Sequence, residues 1–278
     1  MQVLKRILNF YLNSSIHVAL AASALTWVTL IELDLKLDKY LLYFVFFSTI
    51  TGYNFVKYFG VAKFHHRSLA VWLKVIQVFS FMAFLAMCFV ALYLELNTLI
   101  LIGILGVVTF FYAIPVMLPK RYLFDDHKNL RQIGGLKVYV IALVWAFTSV
   151  YLPVVNEAVS IDADVIILGL QRFCYVLVLM LPFEIRDLNY DSLKLATIPQ
   201  KIGIKKTKII GVLLLLLFVL LDYFKDVLNE DTLLSTIIIA LITLVLLMFS
   251  NKNQSKYYSA FWVESLPIIW LVILLLLS

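Results

Sequence analysis

Three carboxylates stand at i, i+3 and i+7 in the run Glu184-Ile185-Arg186-Asp187-Leu188-Asn189-Tyr190-Asp191. On a helix that spacing puts all three on one stripe. Acids crowded on a stripe repel one another unless a cation lies among them. Mg²⁺ suits such a set, because it is held by one or two carboxylates together with waters and substrate phosphates. A solvated helix end whose acids pair with neighbouring lysines accounts for the spacing equally well. The other polar residues read more plainly. His65-His66-Arg67 is a solvated basic loop, since adjacent histidines face different ways on a helix. Arg172 lies inside an apolar run, where a charge is costly unless paired or wet, and reads as a structural pairing. His17 reads as a buried helix contact. Gly134-Gly135-Leu136-Lys137 reads as a helix start able to receive a phosphate. Cys88 and Cys174 stand alone, with no CxxC or Cys/His spacing, and read as small core residues.

The elements that must position these groups are apolar helices. Of 278 residues 63% are hydrophobic and 14% charged, and the mean hydropathy is +0.99. A soluble domain of this length needs more charge to cover its surface. With nine Gly and six Pro there is no linker, so residues 1–278 form one domain. A membrane span takes about 20 mostly apolar residues. Runs of that kind cover 16–33, 41–59, 69–94, 98–118, 136–154, 165–183, 208–222, 232–249 and 260–277. The seventh is short, and its helix is expected to begin earlier. The first is a retained helix rather than a cleaved leader, because it runs on to Ile31 and more spans follow. The expected class is therefore all-α, a polytopic membrane protein with nine transmembrane helices.

Charge sets the expected orientation. Nineteen of the 23 Lys and Arg fall at the N-terminus and around the connections after spans 2, 4, 6 and 8. The opposite loops hold only Lys36, Lys39 and Lys225. By the positive-inside rule the N-terminus is cytosolic and the C-terminus outside. The net charge of +6 is thus a topological signal and implies no nucleic-acid partner.

Downstream of Asp191 the chain reads Thr197-Ile198-Pro199 and then Ile202-Gly203. The stretch 184–203 resembles the second aspartate-rich motif of the UbiA superfamily of membrane prenyltransferases, where DxxxD precedes a Thr-Leu-Pro-like turn and a Leu-Gly. Tyr112-Ala113-Ile114-Pro115 with Lys120-Arg121 is similar to the family's Tyr-x-x-Pro stretch and its trailing basic residues. Asn54 stands where the family's NDxxDxxxD begins. The resemblance implies a UbiA-like bundle of nine helices. It implies transfer of a polyprenyl group from a prenyl diphosphate to a lipophilic or aromatic acceptor within the bilayer, and placement in a bacterial cytoplasmic membrane. It further implies one Mg²⁺ held by Glu184, Asp187 and Asp191, reaction at Asn54, Lys57, Asp187 and Asp191, and substrate contacts from Tyr112, Lys120 and Arg121. Mg²⁺ and basic residues would neutralise the departing diphosphate.

The chain departs from that pattern at the first motif. Laid on Asn54, it puts Phe55, Tyr58 and Ala62 at the three aspartate positions, with Lys57 among them. Lys57 is accordingly expected to approach Asp187 or Asp191 across a cavity and to act as a point charge in place of a second metal ion. A competing expectation is a degenerate relative that binds a prenyl lipid or partner without turnover. A transporter is the third; it calls for repeats and midplane helix breaks, whereas no repeat stands out and Pro115, Pro182 and Pro199 lie toward the inner ends of spans.

Overall fold

Each apolar run satisfies its backbone hydrogen bonds within itself, as a chain surrounded by lipid must. The computed structural model describes residues 2–64, 71–113, 135–189, 197–226 and 228–278; at 2, 59–64, 71, 112 and 113 it describes backbone alone. Among the described residues all regular structure is helical. The helices are α1 (Gln2–Asn13), α2 (Ile16–Glu32), α3 (Lys39–Phe64), α4 (Val71–Ala91) and α5 (Leu96–Ala113). They continue with α6 (Leu136–Asn156), α7 (Ala163–Asp187), α8 (Ile198–Phe224), α9 (Glu230–Phe249) and α10 (Tyr258–Leu277). Each predicted run overlaps one of α2 to α10, in order. Six of these, α4 and α6 to α10, are long and apolar enough to cross a membrane, and α1 and α2, bent by 54° to each other, pass the same test only when counted together. The stretch Leu96–Phe111 of α5 is a shorter apolar helix.

The seventh predicted run does begin earlier, at Ile198. Lys201, Lys205, Lys206 and Lys208 hid its start from a search for apolar runs, and the helix is broken at Gly203, with φ 80° and ψ 160°, a region of backbone space open to glycine and closed to side chains. Pro199 opens the first turn, and Gln200 Oε1 accepts from the Thr197 backbone N–H at 3.0 Å.

Two helices sit inside the bundle. Some 72% of the apolar window of α7 is buried, the highest share among the six spans. α2 packs against α3, α6 and α10, and its Ala19, Ala21, Ala22 and Ala24 are buried, small enough to let neighbouring backbones close in. Cys174 is buried on α7, whereas Cys88 lies exposed on the outer face of α4, so only the first is a core residue. Arg172 on α7 is fully buried. It donates to Glu32 Oε2 at 3.2 Å and Thr29 Oγ1 at 3.1 Å, and its guanidinium lies 4.5 Å from the centre of the Trp270 ring.

The connections separate into two ends. At one end Asn156 donates to Asp38 at 2.9 Å, and the Asp226 N–H donates to Asp164 at 3.0 Å. At the other, Tyr53 and Lys57 of α3 and the end of α7 border one space with the first turns of α6 and α10. There α1 turns away from α2 at Ser15, which holds a left-handed backbone with φ 63°. Val3, Leu4 and Ile7 of α1 are exposed beside Lys5 and Arg6, the pattern of a helix lying on a membrane surface.

Candidate active site

The chemistry-bearing residues of four helices meet at this second end. Pro182 removes a backbone donor near the end of α7, and Gln254, in the connection before α10, donates to the Pro182 carbonyl at 2.8 Å. Beyond it α7 presents Glu184 and Asp187. α6 starts at Gly135, whose φ of 78° lets the chain turn sharply into the helix, and so brings Lys137 opposite them. Lys137 Nζ lies 3.2 Å from Glu184 Oε1 and 3.9 Å from Asp187 Oδ2. Arg186 holds Asp187 Oδ1 at 2.8 Å. Glu184 is buried, while Asp187 and Lys137 are half-buried and reach the space between the helices.

That space is a cavity of about 390 Å³. Its α7 and α6 wall carries Glu184, Arg186, Asp187 and Lys137; its α3 wall carries Tyr53 and Lys57; its α10 wall carries Ala260 and Glu264. Asn9, Leu12 and Asn13 of α1 border it on the membrane-surface side, and Ile141, Met180 and Phe183 supply an apolar lining. A volume in the range of about 300–1,000 Å³, mostly apolar but with convergent polar groups, is that of a ligand pocket. Asn9 Oδ1 accepts from Lys256 at 3.1 Å and from Tyr257 at 3.0 Å, which docks α1 over the start of α10.

The fold at this site can be placed. The structure superposes over 100% of its length on 97% of a digeranylgeranylglyceryl phosphate synthase studied in membranes, with a TM-score of 0.57 and 18% identity. It matches a UbiA homolog from Archaeoglobus fulgidus over 96% of this chain and 94% of that one, with a TM-score of 0.50 and 10% identity. This chain has the UbiA fold. No family profile matches the sequence, and no curated protein is significantly similar to it.

Within the UbiA fold the expected site residues divide. Glu184, Asp187 and Lys57 line one cavity. Asp191, Lys120 and Arg121 lie outside the described residues, and of Tyr112 only the backbone is described. The expected approach of Lys57 to Asp187 is not made: Asp187 is held by Arg186 and Lys137. Lys57 Nζ instead donates to Ser15 Oγ at 3.0 Å and to the Leu12 carbonyl at 3.5 Å. The reason is the bend between α1 and α2, which turns the Leu12 carbonyl and the Ser15 hydroxyl toward Lys57.

Asn54 does not line this cavity. It is buried, its amide donates to the Ser14 carbonyl at 3.0 Å and to Ser80 at 2.7 Å, and its Oδ1 accepts from Ser15 at 2.8 Å. It therefore reaches the site through Ser15, which anchors Lys57. Sequence reading missed both Ser15 and Glu264. The signal for Glu264 was present, since an acid inside a membrane span is by default a functional candidate. His17 links the same region: Tyr11 Oη lies 2.7 Å from its Nδ1 and the Phe261 carbonyl 3.0 Å from its Nε2. Burial raises the Tyr11 phenol above its ordinary value, and the negative charge of Glu264 raises it further.

Among the described residues no group of three His, Cys, Asp or Glu is able to hold a metal ion. Mg²⁺ asks less of the protein, however, when phosphate oxygens and water complete its shell. The half-buried Asp187, on the wall with Glu184, meets that smaller demand.

Proposed function

We propose that this chain is a membrane prenyltransferase that takes a prenyl diphosphate into the cavity between α3, α6, α7 and α10. One observation carries the reading. In a bundle with the UbiA fold, a cavity lined by three acids and four cations lies where apolar helices end, so a charged head group and a hydrocarbon tail can be bound side by side. Lys137 and Arg186 face the diphosphate from the α6 and α7 wall, and Lys57 adds charge from the α3 wall. Lys120 and Arg121 are assigned to substrate binding with Tyr112. Arginine can grip a phosphate through two parallel N–H donors, while lysine contributes a point charge. Asp187 and Asp191, together with Glu184, would hold one Mg²⁺, which when bound offsets negative charge on the departing diphosphate. Ile141, Met180 and Phe183 give the first carbons of the tail an apolar bed.

The proposed orientation is nine crossings with the N-terminus and this cavity on the cytosolic side. The acceptor is a lipophilic molecule that enters from the bilayer. One observation favours a second reading, a chain that binds prenyl lipid without turnover. Phe55, Tyr58 and Ala62 occupy the first-motif positions, and Glu184 and Asp187 are each already held by a cation.

The test is release of diphosphate from purified full-length protein given geranylgeranyl, farnesyl or geranyl diphosphate with Mg²⁺ and a lipid extract. Release that stops in Asp187→Asn supports transfer. Saturable binding without release supports the second reading, and no binding of any of the three ends both.

A further inference from the structure

Three carboxylates face the cavity, and two of them are already engaged: Glu184 by Lys137 at 3.2 Å and Asp187 by Arg186 at 2.8 Å. Glu264 differs. It is half-buried on the α10 wall, and no described residue forms a hydrogen bond or ion pair with its carboxylate. Lys57 lines the same cavity on the α3 wall, and Arg186 on the α7 wall is taken up by Asp187. Lys57 itself spends two of its three ammonium protons on Ser15 and the Leu12 carbonyl. The cavity therefore has a second pole, an ammonium and a carboxylate that face the same space without touching.

What can lie between them follows from donor and acceptor counting. A carboxylate only accepts and an ammonium only donates. A phosphate or carboxylate ligand meets repulsion from Glu264, and an amine cation meets repulsion from Lys57. A neutral hydroxyl does both jobs, donating to Glu264 and accepting from Lys57. Ala260 lines the same wall with only a methyl group, and Ile141 and Met180 line the cavity for an apolar chain.

We infer that Glu264 and Lys57 form the acceptor subsite, that the acceptor is a hydroxyl-bearing lipid, and that Glu264 takes its proton. The inference rests on the prenyl diphosphate reading of the same cavity. The acceptor oxygen bonds to C1 of the prenyl chain. The C1–O bond to diphosphate breaks, and its electron pair leaves on the diphosphate. The hydroxyl proton passes to Glu264, while Lys57 steadies the oxygen as negative charge builds on it.

The test uses full-length protein in detergent micelles, tritiated 1-O-hexadecylglycerol as acceptor probe, and geranylgeranyl diphosphate as donor probe. Wild type is expected to bind hexadecylglycerol saturably and to bind its dimethyl ether far more weakly. Replacing a charged acceptor by a neutral one weakens a hydrogen bond, so Glu264→Gln should lose about tenfold in hexadecylglycerol affinity. It should keep geranylgeranyl diphosphate affinity within about twofold, because the diphosphate wall is untouched. Transfer to hexadecylglycerol should fall about 10²-fold or more in kcat, the scale of a lost general base. Lys57→Met is the second variant, and it too should weaken hexadecylglycerol binding. Equal binding of the alcohol and its ether, or unchanged binding and turnover in Glu264→Gln, overturns the inference. Loss of geranylgeranyl diphosphate binding by the wild type, with hexadecylglycerol binding intact, overturns the proposed function and leaves the subsite standing.

Discussion

At the scale of single residues, the molecule uses charge in two ways. Arg172 is a structural charge, fully buried and matched by Glu32 across α2 and α7. Removing one partner of a buried pair leaves an uncompensated ion, at a cost of about 3–5 kcal/mol, whereas removing both can be nearly neutral. Arg172→Met should therefore lower the thermal unfolding midpoint in detergent sharply, and Arg172→Met with Glu32→Gln should recover most of the loss. Additive losses in the double variant would show that the pairing contributes nothing. Asn54 belongs to the other use, in which charge is held ready for a ligand. Its amide fixes Ser15, and Ser15 fixes Lys57. Asn54→Ala orphans buried partners and should destabilise by about 1–3 kcal/mol. Because Lys57 loses its anchor, hexadecylglycerol should also bind more weakly than to the wild type, measured on the folded fraction. Unchanged affinity alongside lost stability would reduce Asn54 to a tie between helices. That Arg172 is paired was legible in the sequence, but its partner was not, since Arg172 and Glu32 are 140 positions apart, and nothing linked Ser15 with Asn54, 39 positions apart.

At the scale of elements, hydropathy located the helices but not their irregularities. Runs of apolar residues report what lipid demands of the chain, and α2 to α10 follow them in order. A break such as that at Gly203 is invisible to hydropathy, because it depends on one backbone angle. The resemblance of 197–203 to a family turn was the only sign of it. With φ 80° and ψ 160° at Gly203 and open space where a Cβ would go, the obstacle to a side chain there is backbone strain and not crowding. Gly203→Ala should cost about 1–3 kcal/mol, or else straighten the first turn of α8. Because that turn follows the second motif, diphosphate release should fall as well. A variant as stable and as active as the wild type would mean that the break is incidental. Glu264 escaped notice for a related reason. It falls in the run 260–277, where a single acid barely lowers mean hydropathy, and a π-helical turn at Tyr258–Val263 precedes it. Such turns shift the following side chains around the helix axis and are frequent at functional sites.

For the molecule as a whole, the fold sorts polar groups to two ends, and the sorting agrees with the charge pattern. Lys57, Lys137, Arg186 and Lys256 gather around one cavity. Asp38, Asn156, Asp164 and Asp226 join at the opposite end. Basic residues are retained on the cytosolic side of a membrane, so the cavity end should face the cytosol and the acidic end the exterior. Two exposed serines sit in the right places to check this. Ser255 lies between α9 and α10 beside Lys256, and Ser160 lies between α6 and α7. Cys88 is exposed and must first become serine, whereas Cys174 is buried. In that background, Ser255→Cys should react with a membrane-impermeant maleimide only after the cell membrane is opened, and Ser160→Cys in intact cells. Surface substitutions of this kind change stability by less than about 0.5 kcal/mol, so the labelling reports on an undisturbed fold. Labelling of both from the same side would require the odd number of crossings between the two loops to become an even one, which the succession of α7, α8 and α9 does not permit if each spans. That outcome would make one of the three a re-entrant helix, and it would separate the cavity end from the cytosolic pool of prenyl diphosphate on which the proposed function depends.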